Sequence, residues 1–179
     1  NNLSKNKKPL YIYYGTSGRA RHRLPPIEWL ESLIKLLQDE YELLLVGGKT
    51  ELSLQKILDK KLDVKFYFIG KFSLSEWSSI FTSSKHHIPL ISFDGGFSHL
   101  YGIHLPHIFQ IFCSSNANKW KSKSESNEVY ECLKGGSPNY KPHLFKVPDK
   151  CSFANQGWKD SNPLEVKRKI SSWLRGIGY

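Results

Sequence analysis

The chain has 179 residues, 39% hydrophobic and 13% aromatic, with a formal net charge of +10. That is enough apolar material for one good-sized domain, which argues against a disordered chain. The charge calls for an anionic partner: nucleic acid, nucleotide phosphates or an anionic membrane surface.

The sequence holds no apolar run as long as a membrane span, and Asn1–Lys8 is too polar and basic for a signal peptide. Cys113, Cys132 and Cys151 are far apart and form no C-x-x-C, so a reducing compartment is expected rather than a disulfide framework. The absence of any methionine, even at the start, reads as a fragment of something longer.

Pro9–Tyr14 predicts a first strand, Gly15–Gly18 a turn of small residues, and Pro25-Pro26 the opening of a helix whose inner face is Ile27, Leu30, Ile34 and Leu37. Glu42–Val46 predicts a second strand, followed by Gly47-Gly48-Lys49-Thr50-Glu51 and a helix carrying Leu54, Ile57 and Leu58 inward. Val64–Ile69 predicts the third strand. Ser73 and Glu76 have the spacing of a capping box, so a helix starts there and buries Trp77, Ile80 and Phe81.

Ile88–Phe93 predicts a fourth strand that stops at Asp94-Gly95-Gly96, where a short helix begins, and His107–Phe112 a fifth. From Cys113 to Asn162 the pattern is Ser-, Lys- and Asn-rich, with an edge strand at Val129–Cys132; it reads as a long surface loop. Asn162-Pro163 starts a last helix with Val166, Ile170, Trp173 and Leu174 inward. Strands alternating with helices predict an α/β, Rossmann-like, doubly wound parallel sheet. The expected organisation is a single domain over 1–179: a core of about 9–120, an irregular segment of about 113–162 and a terminal helix of about 163–175.

In such sheets ligands bind at the carboxyl ends of the strands, so the loops there are the candidates for chemistry. Gly15–Arg23 brings small residues and guanidinium groups together, which fits either phosphate binding or a solvated basic loop. Gly48-Lys49-Thr50 resembles the end of a P-loop, but Leu43 occupies the required first glycine, and no G-x-G-x-x-G occurs. The NTPase and dinucleotide oxidoreductase classes lose their main support.

Glu51 could accept from ribose hydroxyls or simply favour a helix N-terminus. Phe72 could stack on a base or serve the core. Asp94 at a buried strand end needs donors or a ligand; capping the next helix through the Gly96 or Phe97 N–H is the plain alternative. His99 could touch a phosphate or make a local bond. Cys132, His143 and Cys151 match no standard zinc spacing, and no metal or other cofactor is expected. No serine or cysteine nucleophile with its own base is visible.

On these residues the chain resembles glycosyltransferase family 9, the ADP-heptose:lipopolysaccharide heptosyltransferases, over about Leu10–Trp120. Asp94-Gly95-Gly96-Phe97-Ser98-His99 is similar to the family's aspartate-(serine or threonine)-glycine-x-x-histidine signature, with Gly95 in the hydroxyl position. Phe112–Ser115 with Trp120 resembles its phenylalanine-glycine-proline-threonine loop and downstream tryptophan. Gly15–Gly18 with Arg21-His22-Arg23-Leu24-Pro25 resembles its first loop, His22 standing for a lysine usual in some members. Val46-Gly47-Gly48 with Glu51, and Gly70–Leu74, fall in step as well.

The resemblance implies the C-terminal, donor-binding half of a GT-B fold in an inverting, metal-independent enzyme. It puts Thr16, Ser17, Gly18, His22 and Arg23 with Gly95, Gly96 and His99 around the diphosphate. Glu51 falls on the ribose, Phe72 on the base and Asp94 near the sugar. It implies ADP-heptose as donor, lipopolysaccharide or another glycan or protein as acceptor, and a place at the cytoplasmic face of the bacterial inner membrane beside anionic lipid.

The general base belongs to the N-terminal acceptor domain, so this chain alone is expected to bind donor without completing transfer. The alternatives are a transferase of the same fold using another nucleotide sugar or a protein acceptor, and a non-catalytic nucleotide- or nucleic-acid-binding module. Scattered lysines and arginines with no RNA-binding or helix-turn-helix signature weigh against nucleic acid.

Overall fold

The computed structural model describes residues 7–15, 23–52, 55–56, 66–84, 87–113, 115–132 and 157–179. Six strands are described: β1 (Lys8–Tyr13), β2 (Tyr41–Gly47), β3 (Phe66–Ile69), β4 (Leu90–Phe93), β5 (His107–Phe112) and β6 (Ser126–Glu131). They form one sheet in the order 3-2-1-4-5-6, and every neighbouring pair is parallel. The order reverses between β1 and β4, so the crevice outside their carboxyl ends is the topological switch point.

Parallel strands covered on both faces should be largely apolar on both faces, and the inner strands β1, β2, β4 and β5 are, whereas the edge strand β6 is polar. Leu10, Ile12, Leu43, Leu45, Ile91, Phe93, Phe109 and Ile111 pack toward α1 (Ile27–Gln38) and the last helix. Tyr13, Val46, Leu90 and Ile108 pack toward α2 (Leu74–Ser83) and α3 (Gly96–His104). Helix α1 buries Trp29, Leu30, Leu33, Ile34 and Leu37 at helical spacing. In α2 the capping box is complete: the Glu76 N–H donates to the Ser73 hydroxyl, and the Ser73 N–H donates to Glu76 Oε2 at 2.7 Å.

A short helix α4 (Ala117–Trp120) follows β5, and α5 (Pro163–Gly176) closes the chain, its first turn capped by Asn162 Oδ1 accepting from the Leu164 N–H. The edge strand expected at Val129–Cys132 begins three residues earlier and pairs with the full length of β5. At its described end, residues 157–162, the segment read as a surface loop departs from that reading. Trp158 is buried against Trp29, ring centres 5.1 Å apart, and the Trp29 indole N–H donates to the Ser161 carbonyl at 2.9 Å. Around Trp158 the neighbouring residues are polar, so local periodicity could not reveal this core contact. Leu54, Ile57 and Leu58 lie outside the described residues.

Candidate functional site

Three corners of the switch-point rim come together. The first follows β1, where Tyr14 is anchored by its hydroxyl, which donates to the Pro25 carbonyl at 2.9 Å. Gly15 then passes so close to Glu51 that a Cβ there would lie 2.7 Å from Glu51 Cδ. The second corner follows β2: Gly47-Gly48 leads into a 3-10 turn, Lys49–Glu51. The third follows β4, and a Cβ on Gly95 would lie 2.8 Å from the Gly15 carbonyl oxygen. Glycine at 95 lets its corner approach the Gly15 backbone, and glycine at 15 leaves room for the Glu51 side chain.

Among the described residues the charges inside are two carboxylates and one guanidinium. Glu51 is 3% exposed; its Oε2 accepts from the Gly48 N–H and its Oε1 from the Thr50 hydroxyl, both at 2.8 Å. Burial pushes its carboxyl above the ordinary range, and those two bonds oppose the shift. Asp94, 4% exposed, pairs with Arg23, Nη1 lying 3.0 Å from Oδ2, and also accepts at Oδ2 from the Ser115 hydroxyl. Arg23 Nε is buried and finds no partner among the described residues. Tyr13 lies beneath, stacked on Phe97 at 4.9 Å; burial first, then the Glu51 and Asp94 charges, hold its phenol proton on.

Helix α3 starts at this corner with Gly95 as its N-cap, and no side chain caps it. Asp94 is therefore not the capping residue; it reaches instead to residues 71 positions before and 21 after it in the chain. The turn is held from inside. The buried Ser98 hydroxyl donates to the Gly95 carbonyl at 2.6 Å and accepts from Gln110 Nε2 at 3.0 Å. Gln110 Oε1 in turn accepts from the Ser122 N–H and from Asn127 Nδ2, so a fully buried glutamine in mid-strand is satisfied at both ends of its amide.

Of the residues singled out from sequence, Arg23, Glu51, Asp94 and Gly95 meet at this rim. Gly96 opens α3, and His99 is exposed one turn on. Phe72 sits after β3, half-buried, stacked near-parallel on Phe68 and edge-on to Trp77 at 5.1 Å. Thr16, Ser17, Gly18 and His22 lie outside the described residues, as do His143 and Cys151. Among the described residues Cys113 and Cys132 form no disulfide. Among the described residues no three His, Cys, Asp or Glu side chains gather as a metal site, and no helix is long and apolar enough to cross a membrane.

Sequence reasoning missed Ser115 and Tyr13 as parts of the rim, and Gln110 behind it. Tyr13 had a signal in the alternation of β1, and Gln110 one in its polarity within an apolar run. Ser115 matches the threonine end of the family's phenylalanine-glycine-proline-threonine loop, but the resemblance gives it no role. An open hollow of about 470 Å³ lies at the opposite edge, among His87, Ile103, His104, Lys123 and Glu125. His104 there is engaged by Ser78 at 2.7 Å and Thr82 at 3.2 Å.

This architecture is a Rossmann-like half of the GT-B glycosyltransferase fold. It is similar to glycosyl transferase family 9 from Veillonella parvula DSM 2008, with a TM-score of 0.69 and 16% identity over 98% of this chain and 48% of that one. It is also similar to E. coli ADP-heptose lps heptosyltransferase II (TM-score 0.66, 14% identity, 99% of this chain and 50% of that one) and to E. coli heptosyltransferase WaaC solved with ADP (0.61, 16%, 96% and 46%). The chain thus spans about half the length of the solved structures it matches, and at these identities the likeness is one of fold. No protein-family model and no curated protein sequence matches it.

Proposed function

We propose that the chain is the donor-binding half of a glycosyltransferase that transfers a sugar from a nucleotide diphosphate carrier, with ADP-heptose as the donor. The observation that carries this reading is the meeting of Arg23, Asp94, Glu51 and the α3 N-terminus at the switch point of the sheet. The fold shared with heptosyltransferases supports it. A diphosphate would find the Arg23 guanidinium and the first N–H groups of α3, donors suited to the negative charge that grows on the leaving group during transfer. Glu51 is the acceptor for ribose hydroxyls and Phe72 the wall for the base.

The acceptor, lipopolysaccharide or a similar glycan, and the general base belong in this reading to an N-terminal domain, with the C-terminal half represented here. The enzyme would work at the cytoplasmic face of the bacterial inner membrane, where a +10 chain meets anionic lipid. The test is calorimetric titration of the chain with ADP, UDP, ADP-heptose and a short oligonucleotide. Selective uptake of the ADP compounds, weakened in Asp94→Asn, is expected. Salt-steep oligonucleotide binding without nucleotide preference would overturn the reading.

A further inference from the structure

Cys113 and Cys132 stand at the same level on neighbouring strands. The parallel register of β5 and β6 runs to Phe112 opposite Glu131, and the Cys132 N–H donates to the Phe112 carbonyl at 2.9 Å. The next residue on each strand is a cysteine, so the two lie opposite one another. Side chains alternate along a strand, and Cys113 falls with Phe109 and Ile111, Cys132 with Tyr130, on the face toward α1 and α5. Cys113 is buried in that core and Cys132 is half-buried against it.

A bond between them has a consequence at the rim. In-register neighbours sit one strand spacing apart, so their Cβ atoms must close by about 1 Å to reach disulfide geometry. The sheet order places β5 between β4 and β6. Drawing the end of β5 toward β6 therefore draws it away from β4. Ser115 lies two residues past Cys113, and its hydroxyl donates to Asp94 at the end of β4. We infer that Cys113 and Cys132 are a reversible thiol–disulfide pair whose closure pulls Ser115 off Asp94 and weakens nucleotide binding at the rim. The oxidant is a low-molecular-weight disulfide such as glutathione disulfide. The thiolate of Cys132, the more exposed of the two, attacks one of its sulfurs and expels a thiolate; the Cys113 thiolate then attacks Cys132 Sγ and expels the second. The protein loses two protons and two electrons, and the oxidant becomes two thiols. Such a pair stays open in a reducing compartment and closes under oxidative challenge. The effect on binding rests on the rim being a nucleotide site.

The experiment treats the 179-residue chain with glutathione disulfide, maps it by mass spectrometry after digestion without reduction, and measures ADP affinity calorimetrically in both forms. The Cys113 and Cys132 peptides should be joined, in the unsubstituted chain and in Cys151→Ser alike. Oxidation should weaken ADP binding about tenfold, the size of one lost hydrogen bond, and dithiothreitol should restore it. In Cys132→Ser the oxidant should leave the affinity unchanged. A Cys132 that stops at the glutathione adduct or joins Cys151 overturns the inference, and so does an equal affinity in the two forms. If the reduced chain binds no ADP, the functional reading fails by itself. The switch is then read from the Asp94 and Ser115 amide shifts, which move on oxidation if it holds and stay in place if it does not.

Discussion

Two corners of the same rim hold a buried carboxylate, and they hold it in opposite ways. Glu51, after β2, is satisfied within its own turn by Gly48 and Thr50. Asp94, after β4, is satisfied from across the molecule by Arg23 and Ser115. A carboxylate closed on its own turn belongs to that turn. One held by two other loops ties all three into a single surface.

The sharpest way to break this contrast is to remove the long-range carboxylate. Asp94→Ala strands the Arg23 guanidinium, whose Nε already lacks a partner among the described residues. Because Arg23 is 24% exposed, the cost should fall below that of a fully buried broken pair, at about 2–3 kcal/mol by denaturant unfolding, with ADP binding lost. Next comes the contact between corners. Gly95→Ala drives a Cβ against the Gly15 carbonyl and the Tyr13 ring, and should cost about 1–3 kcal/mol as an overpacking change.

Glu51 gives a smaller effect with a definite pH signature. Burial lifts its carboxyl above the ordinary 4.5, so the fold favours the protonated form. The resulting penalty is absent below that value, grows as pH rises through the lifted pKa, and then stays constant. Glu51→Gln removes the charge, so its stability relative to the unsubstituted chain should rise as pH climbs from the ordinary carboxylate range through the lifted value, and then level off. A flat difference across that range would contradict the buried-carboxylate account. The smallest effect is expected at Gly96, where a Cβ meets nothing within 4 Å at the start of α3. Gly96→Ala should stabilise by about 0.5 kcal/mol in thermal unfolding, in contrast with its neighbour.

The same contrast explains what could be read from the chain. The capping box at Ser73–Glu76, the bond from the Gly48 N–H to Glu51 and the periodic face of α1 are local, and local chemistry is written in neighbouring residues. Strand alternation with helices was enough to anticipate the parallel sheet. The partners of Asp94, the fit of Trp158 against Trp29, and the Ser98–Gln110–Asn127 chain are set by the sheet order, which brings distant residues together. Asp94 was singled out for the cost of burying a charge, but that argument names a need and not the residues that meet it.

The central claim is that the convergent rim, rather than the hollow at the opposite edge, receives a nucleotide. Amide chemical-shift mapping during an ADP titration tests it most directly. The account predicts that the amides of Gly15, Gly48, Gly95 and Gly96 move while those of His87, Ile103 and Glu125 stay in place. Shifts confined to His87, Ile103 and Glu125 would contradict it.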